Sequence, residues 1–258
     1  MSVGIDVSLE QVLAALGLVA VAAGIAAWRQ TDLERDIGIA VVRSFIQLTA
    51  IGYVIQLIFD ADNLLFVFVL IAVMVAFGAY TARARARKVP GAMLPLVLGL
   101  SLAAVATLGL VVGLGIFEPE ARFLVPVGGM VVGNAMTASA VALNRLGDEF
   151  EDSAARIEAT LALGATSHEA ALPSVRRALR SGTITLIDST KTTGLIFFPG
   201  TMVGMLLAGA DPVDAVRLQL ILLYVLLGSV SISALVSVSL AYRNFFTAEH
   251  QLREPPQP

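Results

Sequence analysis

The chain is expected to fold as an all-α polytopic membrane protein with about seven transmembrane helices. Its N-terminus is placed outside, its C-terminus inside, and a helical loop on the cytoplasmic side. Three observations predict this. Of 258 residues, 57% are hydrophobic and only 14% charged, whereas soluble domains carry about a quarter charged residues. Seven windows hold the roughly 20 apolar residues that a bilayer crossing needs. The positive charges fall almost entirely in alternate gaps between those windows.

The windows are residues 9–28, 37–59, 64–82, 92–117, 123–145, 183–208 and 213–242, within one transmembrane domain, 1–258. One side receives Arg29, Arg35, Arg83, Arg85, Arg87, Lys88, Arg145, Arg156, Arg176, Arg177, Arg180, Arg243 and Arg253. The other receives only Arg122 and Arg217, while Arg43 and Lys191 lie inside windows. By the positive-inside rule the loop 146–182 is cytoplasmic. The N-terminal segment has no Lys or Arg ahead of its apolar run, so it lacks a secretory n-region and should stay uncleaved. The stretch after Tyr242, ending in Glu254-Pro255-Pro256-Gln257-Pro258, is expected to be disordered.

The spans differ in polarity. The first is bare of polar side chains from Leu13 to Ala27 and the third from Leu64 to Ala79. The fourth offers only Ser101 and Thr107, so these three are expected to face lipid. The second carries Arg43 and Gln47 one turn apart. The fifth sets Met130, Asn134 and Thr137 on one face, and the sixth sets Asp188 beside Lys191. The seventh aligns Ser229, Ser233 and Ser237. Polar groups in hydrocarbon turn toward protein or water, which makes spans two, five, six and seven the expected interior.

Several of these features have plain structural readings. Gly129-xxx-Gly133 and Gly200-xxx-Gly204 suit close helix packing, as does the serine stripe. Arg43 can snorkel to the interface, and Asp188 and Lys191 can neutralise each other. Met130, Met136, Met202 and Met205 suit core filling better than metal ligation. Pro199-Gly200 is different, because it interrupts a helix in mid-membrane, where freed backbone must line a cavity or be covered.

Much chemistry is missing. There is no Cys, and the two histidines, His168 and His250, lie in polar segments. Neither Lys88 nor Lys191 has the glycines of a P-loop, and no H-E-x-x-H or G-x-S-x-G occurs. The chain is therefore expected to be no enzyme and to hold no cofactor of its own. Transport is favoured over signalling or scaffolding by the interior polar set: Arg43, Gln47, Asn134, Thr137, Asp188 and Lys191, with Pro199, Gly200 and Met202 at the break. Any metal ligands are left unassigned.

The cytoplasmic loop is amphipathic from Ser153 to Leu163, with Ala154, Ile157 and Leu161 together. Gly164 suits a left-handed cap. Thr166-Ser167-His168-Glu169 is a capping box opening a second short helix, which Pro173 should punctuate. Such a helix–Gly–helix elbow suits insertion into a partner's groove, or else lies on head groups with Arg176, Arg177 and Arg180 as anchors.

Glu158-Ala159 followed by Leu163-Gly164-Ala165-Thr166 resembles the E-A-A…G loop by which ABC importer-type permeases dock on their ATPase. Thr160 stands where that motif has its second Ala, and Pro173 follows Gly164 more closely than is usual. A broader resemblance covers nearly the whole chain. Pro126 to Met136, Ala142-Leu143-Asn144-Arg145, Asp188 to Leu195, Pro199-Gly200-Thr201-Met202 and Leu207 to Pro212 are similar to the FetB family of ABC permeases. That family includes a bacterial iron-export permease and plant aluminium-sensitivity membrane proteins. The resemblance implies a permease homodimer in the bacterial cytoplasmic (inner) membrane, with a separate ABC ATPase subunit holding ATP and Mg. It assigns ATPase coupling to Glu158, Ala159, Gly164, Ala165 and Thr166, and it implies export of iron or a related substrate. Membrane lipid is an expected partner and nucleic acid is not. The alternative is a secondary transporter driven by an ion gradient through the Asp188–Lys191 pair.

Overall fold

Every predicted span is helical in the computed structural model except the sixth, which breaks. The model describes residues 8–30, 33–61 and 63–253. Residues 1–7, on which the expectation of an uncleaved start falls, lie outside them. Over the described residues the chain forms α1 (Leu9–Trp28), α2 (Leu33–Ala61), α3 (Leu64–Arg85), α4 (Met93–Gly113) and α5 (Ala121–Asp152). There follow α6 (Ala154–Ala162), α7 (Ser167–Thr192), α8 (Gly200–Leu207), α9 (Pro212–Ala241) and a 3-10 turn at Tyr242–Phe245. Among the described residues, six helices are long and apolar enough to cross a membrane: α1 to α5 and α9.

The window 183–208 is not one helix. α7 stops at Thr192, Gly194 takes a left-handed φ of 86°, and Pro199 caps α8. Only a glycine enters that backbone region freely, and proline cannot continue an incoming helix. The expected break at Pro199-Gly200 therefore occurs, and it begins several residues earlier. Pro173, by contrast, does not punctuate: α7 runs through it for 26 residues in all. The ring removes one helical hydrogen bond, and buried Ala170, Ala171, Ser174, Val175 and Ala178 hold the helix on either side.

The packed bundle comprises α3, α4, α5, α7 and α9, and small residues decide its geometry. A Cβ on Gly99 of α4 would stand 2.2 Å from Ser237 Oγ and 2.8 Å from the Ser233 carbonyl oxygen of α9. Ser139 of α5 and Ser233 of α9 share a hydrogen bond of 2.6 Å, and Ser237 donates to the Pro95 carbonyl at 3.2 Å. Ser229, Ser233 and Ser237 are wholly buried. On the far side, Gly182 of α7 lies so close to α5 that a Cβ would meet the Ala138 carbonyl oxygen at 2.6 Å.

This packing reverses part of the expected sorting. Spans three and four, expected against lipid, bury one face each: Val67, Ile71, Val75 and Ala79 on α3, and Leu96, Leu100, Ala103 and Val111 on α4. Span two, expected inside, exposes Arg43 and Gln47, and its one buried side chain among those described is Ile58. Lipid is as apolar as leucine, so helices in a membrane associate through small residues and shape rather than polarity. α4 has glycine and alanine at its contact; α2 does not.

The ends of α3, α5 and α9 and the starts of α4 and α7 meet at one end of the bundle. There Lys88 pairs with Asp148 (2.8 Å) and Glu151 (2.6 Å), and Asn244 Nδ2 donates to the Pro90 carbonyl at 2.9 Å. The segment after Tyr242 is folded, correcting the expectation of disorder as far as Arg253. Phe245 stacks on Phe150 at 4.1 Å between centroids, and Phe246 meets the same ring edge-on. Two buried aromatics outweigh the polar character of the segment.

Gly99→Ala should therefore destabilise the chain by about 1–3 kcal/mol through overpacking. Gly109→Ala on the exposed side of α4 has nothing within 4 Å of the new methyl and should be neutral or stabilising. Thermal unfolding in detergent compares the two; equal effects would contradict the close approach.

Candidate functional site

Two polar stripes at membrane depth have opposite fates. The serines of α9 are consumed inside the bundle. A second set, on one side of α5 and α7, is left partly or wholly open. Asn134 is half-buried and donates to the Met130 carbonyl of its own helix at 2.9 Å, and Thr137 is exposed and donates to Gly133 at 3.0 Å. Thr185 and Asp188 of α7 are exposed, and Lys191 Nζ reaches Asp188 Oδ1 at 2.9 Å with both side chains more than half exposed.

α5 and α7 run antiparallel, as Arg177 opposite Glu149 and Gly182 opposite Ala138 and Ala142 require. Stepping about 100° per residue from those contacts carries Asn134 and Thr137 to the same side as Thr185 and Asp188. The result is one open polar face, edged by Met130 and Gly133. No atom lies within 4 Å of a Cβ built at Gly133, Gly200 or Gly204. Among the described residues those three glycines pack against nothing, and Gly129 meets only the end of the Met74 side chain at 3.9 Å, so neither G-xxx-G pair makes a close helix contact there.

The other residues of the expected conduit lie apart. Arg43 sits 5.6 Å over the ring of Phe77 on α3, and neither it nor Gln47 is hydrogen-bonded to α5 or α7 among the described residues. Pro199, Gly200 and Met202 sit at the start of α8, beyond the Gly194 turn, with Leu195, Ile196 and Phe198 exposed beside them. Among the described residues, no three His, Cys, Asp or Glu side chains are grouped to hold a metal ion.

The elbow is built as its residues dictate. α6 buries Ile157, ends on Leu163, and reverses through Gly164 at φ 88°. Thr166 then caps α7: its hydroxyl accepts from the Glu169 amide at 3.3 Å, and Glu169 Oε2 accepts from the Thr166 amide at 2.8 Å. Those bonds from Thr166 hold the Glu169 carboxyl below its ordinary value of 4.5. Leu163 at the tip is 89% exposed, while Glu158 and Ala159 lie on the outer side of α6. Lys88, on the facing loop, has its ammonium pushed up by the hydrogen bonds to Asp148 and Glu151.

One group was invisible to motif reading. Glu149 near the end of α5 is 4% exposed. Its two oxygens take Arg145 Nη2 and Arg177 Nη2, each at 2.5 Å. It thereby ties α5 to α7 just below the elbow. The spacing of Arg145 to Glu149 was a usable signal; the partner on α7 was not. Thr185 could have been found from its three-residue spacing to Asp188.

A family model described as "Uncharacterised protein family (UPF0014)" matches residues 9–246. The chain belongs to that family. It is 38% identical over 242 residues to Protein ALUMINUM SENSITIVE 3 of Arabidopsis thaliana, covering 93% of this chain and 88% of that protein. It is 35% identical over 248 residues to the UPF0014 membrane protein STAR2 of Oryza sativa subsp. japonica, covering 96% and 87%. It is 33% identical over 247 residues to the Probable iron export permease protein FetB of Escherichia coli (strain K12), covering 96% and 95%. No solved structure matches. With six helices long and apolar enough to cross a membrane among the described residues, and relatives named as membrane proteins, the chain is an integral membrane protein; it is the Escherichia coli relative that is named a permease.

Removing both cations from Glu149, as in Arg145→Met with Arg177→Met, should cost about 3–5 kcal/mol by leaving a buried charge unpaired. Glu149→Leu should cost less, because the two guanidinium groups are 44% and 47% exposed and can hydrate. Melting temperatures in detergent give the order; the reverse order would contradict it. At the elbow, Glu169 has a depressed pKa, so its contribution is complete above 4.5 and is lost as pH falls through the lower folded value. Protection of the Glu169 and Ala170 amides, taken relative to intrinsic exchange at each pH, should fall over that acid range, and in Glu169→Ala it should already be low at neutral pH.

Proposed function

We propose that this chain is the permease subunit of an ABC transporter, with ATP hydrolysed by a separate cytoplasmic subunit. The observation that carries the reading is the continuity of α7. One unbroken helix of 26 residues, about 39 Å long at 1.5 Å per residue, begins at the exposed elbow and ends at Asp188 and Lys191. A push on Leu163 and Gly164 is thus delivered to the polar face by a rigid rod. Glu158, Ala159, Gly164, Ala165 and Thr166 are the proposed docking surface for the ATPase, on the cytoplasmic side that the distribution of Arg and Lys assigns.

The open polar face needs a cover. A charged residue facing lipid at mid-bilayer costs about 2.5–3.5 kcal/mol, and among the described residues Asn134 is only half-covered while Thr137, Thr185 and Asp188 are exposed. A second copy laid on α5, α7 and α8 would enclose them in a shared conduit, with Gly133, Gly200 and Gly204 permitting close approach. The substrate class is taken from the relative named an iron export permease. One carboxylate per chain is a poor site for a bare hard cation, so an iron complex, or ligands drawn from both copies, fits the conduit better. The bacterial cytoplasmic membrane is the proposed location.

The test is co-purification of the host's soluble ATPases from mild detergent, followed by ATP hydrolysis and transport in liposomes with and without Fe²⁺. Leu163→Asp and Gly164→Pro should abolish ATPase capture. Asp188→Asn and Lys191→Met should leave capture intact and reduce transport by at least about tenfold, the effect of some 1.4 kcal/mol on the barrier. Unchanged transport in both membrane variants would sink the conduit. A chain that captures no ATPase, yet transports with a proton gradient, would establish the secondary-transporter reading instead.

A further inference from the structure

The basic run that closes α3 is divided between two tasks. Lys88 turns inward to Asp148 and Glu151. Arg83 and Arg87 turn the other way and form no ion pair among the described residues. They line a cleft of about 580 Å³ together with Tyr80, Ala84, Ala86, Val89, Gly91, Ala92 and Met93. Its polar rim is two guanidinium groups and a phenol; its floor is apolar.

The cleft is preformed. Arg87 Nε donates to the Ala84 carbonyl at 3.1 Å, which fixes that guanidinium against the end of α3. Ala86, Val89 and Ala92 are buried and anchor the loop. Gly91 turns with φ 60°, and a Cβ there would stand 3.3 Å from Asn244 Nδ2, the same atom that donates to Pro90. The loop is thus pinned from the 3-10 turn after α9 by Asn244 and from α5 by the acids on Lys88. Two cations remain facing outward on a rigid frame.

Its level in the membrane follows from α3. Arg83 and Arg85 form the last turn of an apolar helix of 22 residues, so the cleft opens where lipid head groups lie. Below it, Val73, Phe77 and Tyr80 on α3 and Leu94 and Leu98 on α4 are exposed apolar side chains, suited to acyl chains. Guanidinium binds phosphate oxygens in a fork geometry, and basic pockets between membrane helices on the positive side hold anionic lipid head groups. We propose that this cleft is a binding site for one anionic glycerophospholipid, its phosphodiester held by Arg83 and Arg87. The proposal is independent of the ABC reading, since it uses no residue of the elbow or the polar face.

The test is native mass spectrometry of the delipidated full chain in detergent, titrated with phosphatidylglycerol or phosphatidylcholine. Phosphatidylglycerol should add one molecule in preference to phosphatidylcholine. Arg83→Gln and Arg87→Gln should each weaken its retention about fivefold and the double variant about thirtyfold. Arg85→Gln, whose side chain does not line the cleft, should leave it little changed. Because both residues are exposed, the double variant should melt like the parent chain without lipid and lose only the lipid-induced rise in melting temperature. Unchanged retention in the double variant overturns the site. An equal loss in Arg85→Gln means diffuse surface attraction and overturns it too. Displacement of the lipid by inorganic phosphate alone would make it a free-phosphate site, and loss of ATPase capture with lipid retention intact would make it a protein-docking surface.

Discussion

Everything in the bundle rests on how closely α9 can lie against α4 and α5. In water, burying leucine would be reason enough for helices to associate; in lipid it is not, and contact area at short range must do the work. Gly99 provides that range on α4, where no Cβ fits against Ser237 and the Ser233 carbonyl. The serines then have partners they could not find in hydrocarbon: Ser233 with Ser139, and Ser237 with the Pro95 carbonyl. Close approach and polar satisfaction are one condition here, since each hydrogen bond exists only because the backbones nearly touch.

The same standard separates packing polarity from functional polarity. Ser229, Ser233 and Ser237 are polar, at membrane depth and fully enclosed, so they account for themselves. Thr137, Thr185 and Asp188 are polar, at comparable depth and open. Asn134 and Thr137 satisfy hydrogen bonds on their own helix, which keeps them tolerable but leaves further donor and acceptor capacity pointing outward. The bundle thus seals one stripe completely and leaves the other partly open, and it is the open stripe that the proposed function uses.

Much of this was legible in the amino-acid order. Apolar runs located the helices, and the cap residues Gly164, Thr166 and Glu169 located the elbow almost to the residue, because caps are local and chemically exclusive. Which span faces which was not legible. Polarity pointed α2 inward and α4 outward, yet the contact is decided by Gly99, Ala103 and Ala104 on a helix with hardly a polar atom. Pro173 looked like a stop because its local penalty is plain, while the burial of Ala170, Ala171 and Ser174 that overrides it comes from elements distant in sequence. Glu149 shows the same limit: its partner on its own helix is four residues away, but its second partner, Arg177, is 28 residues on. Phe245 and Phe246 were read with a polar tail, and only the position of Phe150 makes them a clamp.

The placement of breaks and locks along α5, α6 and α7 bears on how force would travel. The helical path is interrupted at Ser153, where α5 ends, at Gly164, and at Gly194. Between the last two, α7 is continuous and is bound to α5 twice, by Arg177 on Glu149 and by Gly182 against Ala138 and Ala142. A displacement at the elbow is therefore carried along α7 against α5, and the contact at Gly182 leaves little slack for sliding. It must tilt the two helices together, and the side chains they share on the open face, Asn134 and Thr137 with Thr185 and Asp188, move as one surface. Gly194 then lets α8 stay behind. Under the proposed function, the gate would be the changing relation between the α5–α7 face and the Pro199–Gly200 start of α8, rather than a rearrangement within either.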